Sequence, residues 1–147
     1  LHGTVQDGKE QCILSGLKPI LLFAAVALWG CGESAGPGKP EMPASVSPGW
    51  ALKSFADSGP PAGLPGGAAP QCWKALYEGA AGASAEVWVC GYREGSSAFD
   101  AMQRAQTGPN TVKWQKDRYL EVVRWEGGSR GDVRALMSGL EKALGRP

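Results

Sequence analysis

From Cys72 onward the chain alternates with a two-residue period. Trp73, Ala75 and Tyr77 alternate with Cys72, Lys74, Leu76 and Glu78, and Ala85, Val87 and Val89 alternate with Glu86, Trp88 and Cys90. Alternation rich in aromatic and β-branched residues predicts two strands. Gly79 to Ala83 between them has hairpin length. Folding about Ala81 sets Trp73 opposite Val89, Ala75 opposite Val87 and Tyr77 opposite Ala85. The same register sets Cys72 opposite Cys90, so burial pattern and cysteine placement select one pairing.

Further along, Ser96 or Ser97 can cap a helix reaching about Gln106, with Phe99, Met102 and Ala105 along one side. Gly108-Pro109-Asn110 stops it. Strands then follow over Thr111 to Gln115 and Tyr119 to Trp125, around a turn near Asp117. Pairing Trp114 with Leu120 and Val112 with Val122 gives an apolar face, and sets Lys113 opposite Glu121. Val133, Leu136, Met137, Leu140 and Leu144 form a helical stripe. Ser129 with Asp132 reads as its capping box and Gly145 as its stop. The order strand-strand-helix-strand-strand-helix predicts an α+β fold. Its expected form is two layers, a four-stranded, mostly antiparallel sheet with both helices on one face.

The N-terminal part has a different texture. Residues 19 to 30 are an uncharged apolar run of roughly 12 residues after Lys18, too short to span a bilayer core but suited to the centre of a secretory signal. Leu28-Trp29-Gly30-Cys31 follows, then the polar Gly32-Glu33-Ser34. This arrangement resembles the lipobox of bacterial lipoproteins. The resemblance implies a diacylglyceryl group on the Cys31 sulfur, cleavage before Cys31, and anchoring in the membrane by lipid. It also implies a place in the bacterial cell envelope outside the cytosol. Gly32, where many inner-membrane lipoproteins have Asp, favours the outer membrane where one exists. Residues 1 to 17 fit such a signal poorly, with acidic Asp7 and Glu10. An initiation point nearer Leu14 or Leu17, or a cloned fragment, would account for them.

Residues 31 to 70 are expected to be the lipidated Cys followed by a tether rich in Gly and Pro, since these residues oppose helix and sheet alike. Trp50-Ala-Leu52-Lys-Ser-Phe55 interrupts it with apolar residues that a spacer does not need, and could dock as an added strand. Residues 71 to 147 form the expected globular domain. From residue 48 to 145 the chain is loosely similar to small envelope lipoproteins with a Pro-Gly-Trp entry segment, a likeness that implies no activity.

Composition narrows the function. The 147 residues hold 15 Lys+Arg against 14 Asp+Glu and a single His, which speaks against a nucleic-acid binder built on a basic field. His2 precedes the expected cleavage site, so catalysis by a Ser-His or Cys-His pair has no base, and a zinc shell has no imidazole. Carboxylates occur singly at element ends, and no catalytic residue, metal site or cofactor is expected. In an oxidising compartment Cys72 and Cys90 would form one disulfide. Under the hairpin register Trp88 shares the outer sheet face with Lys74, Leu76 and Tyr92. These four are the candidate binding surface for an envelope protein or peptidoglycan, or else a face covered from within. The chain therefore reads as a lipid-anchored envelope lipoprotein whose domain is a non-catalytic binding or assembly module. The alternative is a small envelope enzyme or inhibitor using carboxylate or lysine chemistry on that face.

Overall fold

A computed structural model describes residues 36–46, 49–65 and 70–145. Cys31, the apolar run before it and the acidic leader lie outside them. Among the described residues the order is β1 (Ser45–Val46), β2 (Trp50–Ser58), β3 (Gln71–Glu78), β4 (Ser84–Gly91), α1 (Gly95–Arg104), β5 (Thr111–Lys116), β6 (Tyr119–Glu126) and α2 (Arg130–Leu144). The fold is α+β. One antiparallel sheet runs β1-β2-β3-β4-β6-β5.

The β3–β4 hairpin has the expected register, with Trp73 opposite Val89, Ala75 opposite Val87, Tyr77 opposite Ala85 and Cys72 opposite Cys90. Helix α2 is also as read. Ser129 and Asp132 form a reciprocal capping box, Leu136 and Leu140 are fully buried, and Gly145 ends the helix in the left-handed region at φ 71°.

Four expectations are corrected. The sheet has six strands rather than four, because the stretch assigned to the tether supplies β1 and β2. Trp50–Ser58 pairs along β3, and the Trp50 indole donates to the Asp132 carbonyl at 3.1 Å. Residues 37 to 44 also lie on the domain. The Tyr77 hydroxyl donates to the Pro43 carbonyl, the Tyr119 hydroxyl donates to the Gly38 carbonyl, and Met42 is in the core.

The helices do not share a face. Leu136 and Leu140 of α2 pack with Trp50, Ala75, Tyr77, Val87, Val89, Trp114 and Val123. Ala98 and Ala101 of α1 pack with Cys72, Trp88, Cys90, Tyr92, Leu120 and Val122, the opposite set in the strand alternation. Three layers result, and the central strands are buried on both sides.

The β5–β6 register differs by one residue. Trp114 faces Glu121, Val112 faces Val123 and Lys113 faces Val122. Asp117 and Arg118 make a two-residue turn, with Asp117 at φ 50°. The expected Lys113–Glu121 pair is absent. The Lys113 ammonium instead donates to the Ala105 carbonyl at the end of α1, at 2.5 Å, and Glu121 lies buried on the α2 face.

In α1 the buried residues are Ala98 and Ala101, followed by buried Ala105 just past its end, while Phe99 stands 48% exposed. Small residues let the helix approach a sheet face already filled by Trp88, Tyr92 and Leu120.

Candidate functional site

The four residues singled out as a surface do lie on one sheet face, but they divide along it. Near the Gly91 end, α1 covers Tyr92 and the two cysteines. Toward the other end Lys74 is half-buried and Leu76 is 37% exposed. Trp88 sits at the boundary, 8% exposed, with its ring in the α1 cluster.

Above that ring two cations converge. The Lys74 ammonium lies 5.6 Å and the Arg124 guanidinium 5.4 Å from the Trp88 ring centroid, both within cation–π range. Glu86 accepts from both, at 3.3 Å from Lys74 and in direct contact with Arg124. Strand order produces this group: Lys74 belongs to β3, Glu86 and Trp88 to β4, and Arg124, opposite Glu86, to β6. A carboxylate bonded to two cations ties three strands together into one anchored polar cluster.

Beside this cluster lies a cleft of about 510 Å³ whose lining includes Pro61, Trp88, Pro109, Asn110, Arg124 and Glu126. It combines aromatic and proline faces with a guanidinium, an amide and a carboxylate, the mixture a small-ligand or peptide site requires. Arg124 and Pro61 were absent from the sequence-level surface. Arg124 could be found only through the β4–β6 pairing. Pro61 lies in the stretch assigned to the tether, whose Gly63 carbonyl accepts from the Gln106 amide at 3.0 Å and so closes one wall.

The cysteines are inside the protein rather than at its surface. Cys72 and Cys90 are 2% and 0% exposed, their sulfurs stand 2.07 Å apart at disulfide-bond distance, and their Cα atoms are 4.1 Å apart. That Cα separation belongs to the closely spaced type of antiparallel pair, where side chains on facing residues meet. Ala98 and Ala101 of α1 and Leu120 of β6 pack with the pair.

Two tyrosines carry displaced ionisation. Burial pushes the Tyr77 phenol up to about 12. It also raises Tyr92, with Arg104 opposing the rise. At the α2 capping box, hydrogen bonds from the Ser129 hydroxyl and amide hold Asp132 below the usual carboxylate range.

Among the described residues, no group of three His, Cys, Asp or Glu side chains could hold a metal ion, and no helix is long and apolar enough to cross a membrane. Comparisons of the chain with protein-family models, with curated proteins and with solved structures find no match.

Proposed function

We propose that this chain is a lipid-anchored lipoprotein of the bacterial cell envelope. On this reading Cys31 carries the lipid, and the α+β domain is a non-catalytic binding module with the cleft beside Trp88 and Arg124 as its ligand surface. The supporting observation is the buried Cys72–Cys90 pair. A disulfide between adjacent strands persists in the oxidising space outside the cytosol and is uncommon within it. It therefore supports the same location as the lipobox-like Leu28-Trp29-Gly30-Cys31, by chemistry independent of that motif.

Metabolic labelling with a fatty-acid probe tests the anchor. Label on the natural chain and none on Cys31→Ser is the expected result, whereas equal label on both overturns the reading. For the cleft, Arg124→Ala is the informative variant, since Arg124 is exposed and Trp88 also supports the core. Capture from envelope extract by the natural chain but not by Arg124→Ala supports the binding role. Identical captured material removes the cleft from it.

A further inference from the structure

We propose that one pole of the domain, formed by the β4–α1 loop and the β5–β6 turn, rests on an anionic phospholipid surface, so that the Trp88–Arg124 cleft opens at the far end of the sheet. This inference rests on the reading of Cys31 as the lipidated residue and adds to it the orientation of the domain.

Chain length carries the first part. Pro37 packs against Gly91, where a Cβ would collide with its ring, and the Gly38 carbonyl accepts from Tyr119 at 2.9 Å. The chain is therefore attached to the domain where β4 ends and β6 begins. Cys31 precedes Pro37 by six positions, a span of at most about 20 Å when fully extended. A tether reaching to residue 70 would have let the domain turn freely. A link of five residues keeps this pole beside the headgroups.

Charge carries the second part. Arg93 lies in the β4–α1 loop, Lys116 ends β5, and Arg118 lies in the β5–β6 turn. Among the described residues none of the three is in an ion pair. Acids accompany them: Glu94, which accepts from the Ser96 hydroxyl at 3.4 Å, and Asp117 at the turn, while the last turn of α2, which lies against Lys116, adds Glu141 and Lys142 together. Lys39 is paired with Asp57 at 3.2 Å. At the opposite pole Gly79 to Ala83 and Gln106 to Asn110 carry no charge, and the adjoining end of β6 and start of α2 carry two acids, Glu126 and Asp132, against Arg130. Each basic residue beside an anionic surface contributes about a fivefold preference, so an excess of one or two cations suffices to orient a domain already held by its lipid.

The cleft follows from the same geometry. Its Asn110 and Glu126 lie at the far ends of β5 and β6, and β6 is 8 residues long. That places them about 25 Å along the sheet from the turn. The anchored domain presents its cleft away from the bilayer.

Hydrogen exchange read by mass spectrometry tests this on the lipid-bearing chain purified from membranes. Its N-terminal peptide is weighed first. The chain is compared in phosphatidylglycerol vesicles, phosphatidylcholine vesicles and detergent micelles. Exchange over Arg93 to Ser96 and over Asp117 to Tyr119 is expected to slow at least threefold in phosphatidylglycerol alone. Gln106 to Asn110 should be unchanged. In Arg93→Glu/Arg118→Glu the slowing should disappear. A lipidated Cys31 with no slowing in phosphatidylglycerol, or with slowing at Gln106 to Asn110 instead, overturns the orientation and leaves the anchor standing. Equal slowing in phosphatidylcholine overturns the role of charge. A Cys31 without diacylglyceryl overturns both the anchor and this inference.

Discussion

The buried hydroxyl of Tyr77 donates a 2.9 Å hydrogen bond to the carbonyl of Pro43, 34 positions earlier in the chain. Through it a strand in the middle of the sheet holds the segment that enters the domain. Tyr77→Phe should therefore destabilise the fold by about 1 kcal/mol near neutral pH, as expected for one hydrogen bond lost beside an acceptor that stays behind. Urea unfolding of the two proteins at pH 8 measures it.

The same phenol sets an alkaline limit. Its folded-state value is raised from 10.0 to about 12. The unfolded chain therefore releases its proton first, and the contribution is whole below pH 10 and lost as pH rises toward 12. Stability should fall over that window. In Tyr77→Phe the fall should be smaller but not absent, because Tyr92 is raised by burial as well. Urea midpoints at pH 9, 10 and 11 distinguish the two proteins, and superimposed curves would contradict the argument.

Reduction should weaken the domain. Cys72 and Cys90 are separated by 18 positions, and closing a loop of that size contributes about 3 kcal/mol on the chain-entropy model. The Cys72→Ala/Cys90→Ala protein, or the natural one in reductant, should unfold at correspondingly lower urea. Mass spectrometry after alkylation should find both sulfurs blocked in unreduced protein. Two alkylated thiols there would refute the bridge.

Gly91 is required by close approach rather than by its backbone angles. A Cβ there would meet the Pro37 ring and come within 3.1 Å of the Tyr119 ring. Gly91→Ala should cost about 1–3 kcal/mol, as overpacking does. Much of that should appear as local release of the entry segment. Faster amide exchange at Gly38 and Lys39, with β3 and β4 unchanged, is the expected signature.

The α2 capping box should titrate. Asp132 is held below its ordinary 3.8 by the Ser129 hydroxyl and amide. Its support is therefore present above that ordinary value and disappears as pH falls through the lowered one. Ser129→Ala should lower stability by about 1 kcal/mol at pH 7. The difference in melting temperature between the natural protein and Asp132→Asn should shrink between pH 5 and pH 2.

How far the fold could be read depends on whether a segment keeps a contrast between its two sides. Residues 120 to 123 show the difficulty. Leu120, Glu121, Val122 and Val123 are 0%, 3%, 6% and 0% exposed, so alternation there has no polar phase to mark its register. Moving the β5–β6 pairing by one residue exchanges the two faces, which is how Lys113 came to be set against Glu121. Val87 to Cys90 are buried on both sides as well, yet Cys90 had only Cys72 to face, and the β3–β4 register could be read. The candidate surface was legible to the same extent. Lys74, Leu76, Trp88 and Tyr92 do share a face, but the α1 cover over Tyr92 and the arrival of Arg124 from β6 depend on neighbours remote in sequence.

By itself the sequence determined the α+β class, the β3–β4 hairpin with its facing cysteines, and α2 from cap to stop. Each of these is encoded in contiguous residues through period, capping and turn chemistry. Tertiary structure alone decided that α1 takes the opposite face, that Pro37 to Val46 and Trp50 to Ser58 belong to the domain, and where a cleft opens. Those outcomes depend on which apolar surfaces remain uncovered once the hairpin and α2 are in place. Glycine and proline content describes the freedom of an isolated segment, and not the burial available to Met42, Val46 and Trp50 when a sheet edge and a helix lie beside them.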